Sequence, residues 1–310
     1  MGAIRLPNYY EGIIMGGGCY SSSSFASYSL SSGKSYDVHT KRISGQKFDV
    51  TRLKEALNPK NKIRECCNSD EHPNTVPVIL ALDVTGSMGE ACQETAEALS
   101  QIMDTLYTKF KDVEVMVMGV GDFECDDAPL QVSQFESDVR VAQQLDQIWM
   151  EHGGGGNRYE SYTAPWLFGL YRTKLDAFDK QGRKGIIITM GDEPLNPDLP
   201  LGRVKEYLGK IDGEQLSAKD LETKTLYENA SKKFDIYHIG VKSRHNAYDR
   251  YKNDIKESFG SVIGQNLRES TINELSTVIC ECIENSINGS EVHLKEETPA
   301  KTDSEGAIVW

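Results

Sequence analysis

Residues 76–82 read Val-Pro-Val-Ile-Leu-Ala-Leu, an unbroken apolar run of strand length that stops on an acid, Asp83. A strand with one wet face would alternate apolar and polar residues. A continuous run suits a strand covered on both faces, the middle of a parallel sheet. The chain after it keeps to that plan. Ala91, Ala96, Leu99, Ile102, Met103, Leu106 and Phe110 recur at helical spacing over 87–110. Val113–Val120 is a second strand and Leu130–Phe135 a third. The link between those two holds a proline and no helix, so they pair as an antiparallel hairpin at a sheet edge. Helical patterns at Val141–Met150 and Ser161–Phe178 precede a fourth strand at Gly185–Met190. Two helical patterns within Pro200–Phe234 lead to a fifth strand, Ile236–Val241. A helix around Asn246–Ser258, a sixth strand at Ser261–Leu267 and a helix at Thr271–Ile287 complete the series. The alternation predicts an α/β fold with a mostly parallel sheet, one antiparallel edge strand and helices on both faces. In such sheets ligands sit beyond the carboxyl ends of the strands, where the strand order switches direction.

The regular pattern occupies residues 75–287 of 310, leaving an N-terminal extension (1–74) and a polar C-terminal tail (288–310). Within the extension, residues 16–35 hold nine serines and four glycines, interleaved with Tyr20, Phe25, Tyr28 and Leu30. A segment so poor in apolar area is expected to stay a solvated arm, because burial does not offset its ordering entropy. The competing expectation is that its aromatic residues dock it. Gly33-Lys34-Ser35 imitates the end of a phosphate-binding loop, but Tyr28 stands where the first glycine is required, so no nucleotide is expected there.

With 34 basic and 47 acidic residues the formal net charge is −13, which disfavours binding to nucleic acid, where clustered Lys and Arg must replace counterions. No apolar run approaches the ~20 residues of a membrane span. The N-terminus carries no charged segment leading into an apolar one, as a secretion signal would. The seven cysteines are odd in number and form no CxxC pair, so neither a disulfide framework nor a zinc site is expected. A cytoplasmic protein without a membrane partner is the expectation.

The candidate chemistry sits at strand ends. Asp83-Val-Thr85-Gly-Ser87 places a carboxylate and two hydroxyls at alternate positions, which point the same way in extended chain. Hard oxygen donors of this kind suit Mg²⁺ or Mn²⁺. The fourth strand runs into Gly191-Asp192-Glu193-Pro194, so Asp192 can meet Asp83. Between them, Gly153–Gly156 precede Asn157, Glu160 and Ser161, each able to add an oxygen. Carboxylates gathered without a cation would raise one another's pKa values, and a divalent ion removes that conflict.

Asp83-Val84-Thr85-Gly86-Ser87 resembles the first signature of the von Willebrand factor type A domain. The resemblance covers about 75–287, and the family's fold is a Rossmann-like, doubly wound sheet. It implies a metal-ion-dependent adhesion site in which Thr85 and Ser87 are direct ligands, with Asp83 and Asp192 anchoring the ion through hydrogen bonds or waters. The glycine run, Glu160 and Asp192-Glu193-Pro194 resemble the alpha-kinase-linked branch of the family. Two departures stand out. Asn157, Glu160 or Ser161 must replace the family's loop threonine, and the aspartate is displaced in Thr189-Met-Gly-Asp192. The resemblance implies an intracellular, non-enzymatic protein-interaction module, an adaptor or scaffold whose Mg²⁺ accepts an acidic side chain from a partner. An AAA+ ATPase, a kinase or a larger assembly is the kind of partner implied.

The alternative is a metal-dependent hydrolase or phosphoesterase using Asp83, or an RNA-associated module. A haloacid-dehalogenase-like phosphatase needs a carboxylate two residues after its nucleophile, where Thr85 stands, and Gly86-Ser87-Met88-Gly89 is not Gly-x-Ser-x-Gly. The remaining signals read as structure: an acidic turn at Asp122–Asp127, a core histidine at His238, core aromatics at Trp166, Phe168 and Tyr171, and a solvated basic surface from Lys242 to Lys252.

Overall fold

The structure, a computed structural model, describes residues 18–33, 35–37, 42–44, 50–152, 157–210 and 215–296. In chain order the N-terminal part holds α1 (Ser22–Ser31), β1 (Ser35–Asp37), β2 (Arg42–Ser44) and β3 (Arg64–Cys66). The alternating part follows with β4 (Val76–Asp83), α2 (Glu90–Lys109), β5 (Val113–Val120), β6 (Leu130–Val132) and α3 (Arg140–Leu145). Next come α4 (Ala164–Arg172), β7 (Thr173–Leu175), α5 (Asp176–Asp179), β8 (Gly185–Gly191), α6 (Leu201–Leu208) and α7 (Thr223–Ala230). The chain continues with β9 (Phe234–Lys242), α8 (Tyr248–Ile263), β10 (Leu267–Thr271) and α9 (Leu275–Glu296).

Six strands form one sheet in the order β10-β9-β8-β4-β5-β6. All neighbours are parallel except β5 and β6, which pair antiparallel through Met118–Val120 and Leu130–Val132. The mostly parallel α/β sheet with one antiparallel edge is therefore as expected from the hydrophobic pattern. Counted within the sheet, the order is 3-2-1-4-5-6, that of a doubly wound fold, and direction switches between β4 and β8.

β4 is buried along its length from Pro77 to Asp83 because each of its faces meets a core. Val78, Leu80 and Leu82 pack with residues of α2 and α9, whereas Ile79 and Ala81 pack with those of α4 and α8. The period-2 alternation of side chains splits one apolar run between two cores.

Several elements depart from the sequence reading; the third strand ends at Val132 rather than Phe135, and the helix expected over Val141–Met150 is Arg140–Leu145. The helix expected over Ser161–Phe178 stops at Arg172, and Thr173–Leu175 extends as β7 to pair in parallel with β3. The buried Lys233 ammonium donates to the carbonyls of Gly169, Leu170 and Thr173, which frees the chain from helical hydrogen bonding at that point. The sixth strand lies at Leu267–Thr271 rather than Ser261–Leu267. Ile255, Phe259 and Ile263 are buried at helical spacing, so α8 runs on to Ile263 and ends at Gly264, whose φ of 55° suits glycine. α9 continues beyond 287, to Glu296.

The serine-rich segment carries a helix. Ser21 caps α1 by accepting from the Ser24 amide at 3.1 Å, and 22–31 contain neither glycine nor proline. Phe25 is 1% exposed and packs with Ala142, Tyr20 stacks on Tyr107 with centroids 4.9 Å apart, and the Tyr28 hydroxyl donates to Asp146. Further anchoring comes from the Gly18 carbonyl, which accepts from Ser137 Oγ at 2.5 Å and lies 3.0 Å from His72 Nε2. A few aromatic contacts thus order a segment whose composition alone argued for solvation. Phe25→Ala is expected to destabilise the protein by about 3 kcal/mol, at the low end for a buried aromatic because this cluster is small. Urea unfolding of the two proteins measures the difference, and early proteolytic cleavage near residue 25 in the variant would localise it.

Candidate functional site at the strand switch

The C-terminal ends of β4 and β8 adjoin at the switch, so Asp83 and Asp192 approach there. Both are 0% exposed. Asp83 Oδ1 accepts from the Thr85 amide at 2.9 Å and from Thr85 Oγ1 at 2.6 Å. Its other oxygen, Oδ2, accepts from the Tyr162 hydroxyl at 2.5 Å. Thr85 Oγ1 lies 3.1 Å from Ser87 Oγ, which donates to Asp192 Oδ1 at 3.0 Å. Asp192 Oδ2 in turn accepts from the Ala247 amide, just before α8, at 2.6 Å. Tyr162, Asp83, Thr85, Ser87, Asp192 and Ala247 therefore form one continuous chain of hydrogen bonds across the switch.

Two glycines permit the approach. A Cβ on Gly191 would meet the Tyr162 hydroxyl oxygen at 2.0 Å. Gly89, with φ 51°, opens α2 where a Cβ would meet the His245 carbonyl oxygen at 2.5 Å. Beneath the site the Cys92 thiol donates to the Asp83 carbonyl at 3.3 Å.

The segments after β4 and β8 are not the only contributors; the segment before α4 supplies three sequence candidates with different surroundings. Glu160 is 4% exposed, its amide donates to the Pro194 carbonyl at 3.3 Å, and its Oε2 is buried without a hydrogen-bond partner. Asn157 donates to Asp122 Oδ2. Ser161 Oγ donates to Asp122 Oδ1 at 3.3 Å and accepts from the Phe123 amide at 2.9 Å. Asp122 also receives the Glu124 amide, while Asp126 Oδ2 receives the Asp122 amide at 2.7 Å. The acidic turn thus folds inward, with Asp122 and Asp126 at 1% and 3% exposure, and it holds the segment carrying Asn157 and Ser161. Gly153–Gly156 lie outside the described residues.

Electrostatically the site is a concentration of negative charge. Burial, followed by the charge of Asp192, pushes the Asp83 carboxyl up to about 8, against the lowering effect of the Thr85 and Tyr162 bonds. Burial and then the charges of Asp83 and Glu193 push Glu160 up to about 11. Glu193 rises to about 7 from burial and the charge of Asp192, with Arg250 pulling it down. Burial raises Asp192 as well, opposed by its bonds from Ala247 and Ser87. Among the described residues no Lys, Arg or His forms an ion pair with Asp83, Glu160 or Asp192.

What could such a set hold? Among the described residues no three His, Cys, Asp or Glu side chains are placed to hold a metal ion. The convergent donors are instead two hydroxyls, Thr85 and Ser87, flanked by Asp83 and Asp192, an all-oxygen set of the kind hard cations take. The orphaned Glu160 Oε2 is the further buried acceptor facing this charge. Of the sequence candidates, Asp83, Thr85, Ser87 and Asp192 share one hydrogen-bond chain, Glu160 joins them through charge, and Asn157 belongs to the Asp122 network. Sequence reading missed Tyr162, the Ala247 amide and Glu193. Tyr162 falls within the helical pattern Ser161–Phe178 and carries no signal of its own, and a backbone amide leaves none in side-chain pattern.

No family model and no curated protein matches the chain. Solved structures do match. The pilus adhesin SpaC from Lactobacillus rhamnosus GG gives a TM-score of 0.48 at 10% identity over 74% of this chain and 32% of its own. Proximal thread matrix protein 1 of the mussel byssus gives 0.42 at 11% identity, over 67% of this chain and 47% of its own. The vWF domain of the type V pili tip protein Mfa5 from Porphyromonas gingivalis gives 0.41 at 10% identity, over 70% of this chain and 96% of its own. The chain spans about a third of the length of the adhesin and under half that of the thread protein. The likeness is one of fold.

Asp83, Glu160 and Glu193 all hold protons more tightly folded than unfolded. Their contribution to stability is therefore full below about pH 4 and falls as pH rises, until about 7 for Glu193, about 8 for Asp83 and about 11 for Glu160. In chelator, the protein is expected to lose stability between pH 5.5 and 8. Asp83→Asn, which cannot ionise, should flatten that slope and stabilise the protein at pH 8 by about 1–3 kcal/mol, the cost of an uncompensated buried group. Urea unfolding at the two pH values checks both, and parallel slopes would count against the burial argument.

Proposed function

We propose that the chain is a non-enzymatic protein-interaction module of von Willebrand factor type A kind, in which Thr85, Ser87, Asp83 and Asp192 hold Mg²⁺ or Mn²⁺ with Glu160 as the neighbouring acceptor. The observation that carries the reading is the pair of fully buried carboxylates joined through two hydroxyls, with no cationic side chain among the described residues paired to them. When bound there, a divalent cation supplies the missing positive charge and a coordination position for a partner's carboxylate. The chain's own residues do the rest. Tyr162 and the Thr85 amide fix the Asp83 carboxylate, and the Ala247 amide fixes that of Asp192. The two hydroxyls are thereby held between anchored carboxylates, so little ordering entropy remains to be lost on binding.

A hydrolytic role is less well supported. The carboxylates bonded to Thr85 and Ser87 are already engaged, Asp83 by Tyr162 and the Thr85 amide and Asp192 by the Ala247 amide, and His238 is buried between Thr189 and Phe259. Burial holds that imidazole down at about 3, out of the range of a general base near neutral pH. All seven cysteines are free thiols, in keeping with a reducing, intracellular setting, where an adaptor or scaffold for an AAA+ ATPase, a kinase or a larger assembly would act.

Isothermal titration of Mg²⁺ and Mn²⁺ into chelator-stripped protein tests the reading. Saturable binding is expected in the wild type and its loss in Asp83→Ala, with the variant folded by circular dichroism. Equal affinity in both proteins would overturn the assignment.

A further inference from the structure

The basic run after β9 gathers into a patch beside the switch. From Lys242 to Lys256 the chain carries five basic and two acidic side chains, against 34 and 47 overall, a local inversion of its charge. Three of the five converge on Glu269 of β10. Lys242 Nζ lies 2.6 Å and Lys252 Nζ 3.7 Å from Oε2, and Lys256 Nζ lies 3.0 Å from Oε1. Burial raises the Glu269 carboxyl, but Lys242 and Lys256 outweigh it and hold the group at about 2. One carboxylate facing three ammoniums leaves positive charge in excess, and the lysine side chains are 36%, 38% and 51% exposed. α8 also carries Asp249, Asp254 and Glu257, of which Asp249 offsets part of it beside Lys242.

The patch is joined to the site. The loop from Lys242 runs to Ala247, whose amide bonds Asp192, and Arg250 in the first turn of α8 acts on Glu193. At 1.5 Å per residue, Lys252 and Lys256 lie ~8 and ~14 Å along the helix from Ala247. An extended peptide covers that span in ~2–4 residues.

We propose that the partner is an acidic extended polypeptide segment, whose first carboxylate enters the switch-point site and whose following Asp or Glu side chains run along the lysines of α8, exchanging with Glu269. The proposal rests on the interaction-module reading above. The net charge of −13 opposes any polyanion that extends beyond the patch, which favours a short acidic segment over a longer nucleic acid.

The test is fluorescence anisotropy with a labelled peptide of six consecutive glutamates flanked by Gly-Ser, and separately with labelled oligothymidylate of equal charge, in Mg²⁺ at 50 and 300 mM NaCl. The wild type is expected to bind the peptide in a salt-dependent manner. Lys252→Glu with Lys256→Glu should weaken it about tenfold and flatten the salt dependence. Glu269→Gln should tighten it, because the resident competitor is removed; that opposite sign separates the effect from misfolding. Loss of binding in Asp83→Ala with no effect of the lysine reversal would overturn the proposal and leave the metal-site reading standing. Salt-dependent binding that survives Asp83→Ala but not the lysine reversal would keep the acidic-segment partner and remove the metal-site reading. Failure of the wild type to bind the peptide, or tighter binding to the oligothymidylate, would overturn the proposal.

Discussion

Everything in the upper part of this molecule depends on one constraint: two parallel neighbours, β4 and β8, both end on the same edge at the point where the winding of the sheet reverses. The connections that follow them leave for different parts of the structure, α2 on one face and the segment toward α6 on the other. Connections that diverge in this way leave a gap at the switch point. The carboxylates of Asp83 and Asp192 occupy that gap, and every other polar contact of the site can be read as a response to placing two acids there. Thr85 and Ser87 bridge them, Tyr162 and two backbone amides satisfy their remaining lone pairs, and Gly191 yields room for the tyrosine ring. The hydrogen bonds are made, but the charge is not neutralised, and those two conditions are separable: donors without formal charge satisfy geometry and leave the Coulombic repulsion in place.

Much of this was legible in the sequence because it follows from periodicity. The run Val76–Leu82 identifies a doubly covered strand, and β4 is buried on both sides for the reason the run suggests. The alternate spacing of Asp83, Thr85 and Ser87 anticipates their convergence, and the hydrogen bonds among them have that form. What periodicity could not carry was long-range competition for backbone groups. Nothing near Arg172 announces that α4 ends there, since the ammonium that takes its carbonyls comes from Lys233. Nor does composition reveal that Phe25 finds Ala142, which converts a serine-rich stretch into a docked helix. The same holds within the site. Asn157, Glu160 and Ser161 were equivalent oxygens on paper, and they separate only because Asp122, buried in a turn that reads as surface, engages Asn157 and Ser161.

The basic residues of the chain divide along a similar line. Arg172 donates to the carbonyls of Leu208 and Gly209, and Lys233 to three carbonyls at the end of α4, where burial lowers its ammonium to about 8. Both are buried and bonded to backbone, so their role is to close local structure. Lys256 is exposed, Lys242 and Lys252 are half-buried, and all three are paired with one carboxylate. Ion pairs in that setting contribute little to stability, since solvent screens them and long side chains lose entropy in forming them. Such a cluster can therefore trade its one carboxylate for another at small cost, which a buried pair cannot do. Negative charge that is buried and fixed stands next to positive charge that is partly exposed and exchangeable. In the reading proposed above, a ligand bearing several carboxylates meets both with one chemistry: its first acid would take the proposed cation, and its later acids the lysines one to two helical turns away. A neutral partner would use neither feature, and a single carboxylate would use only the first.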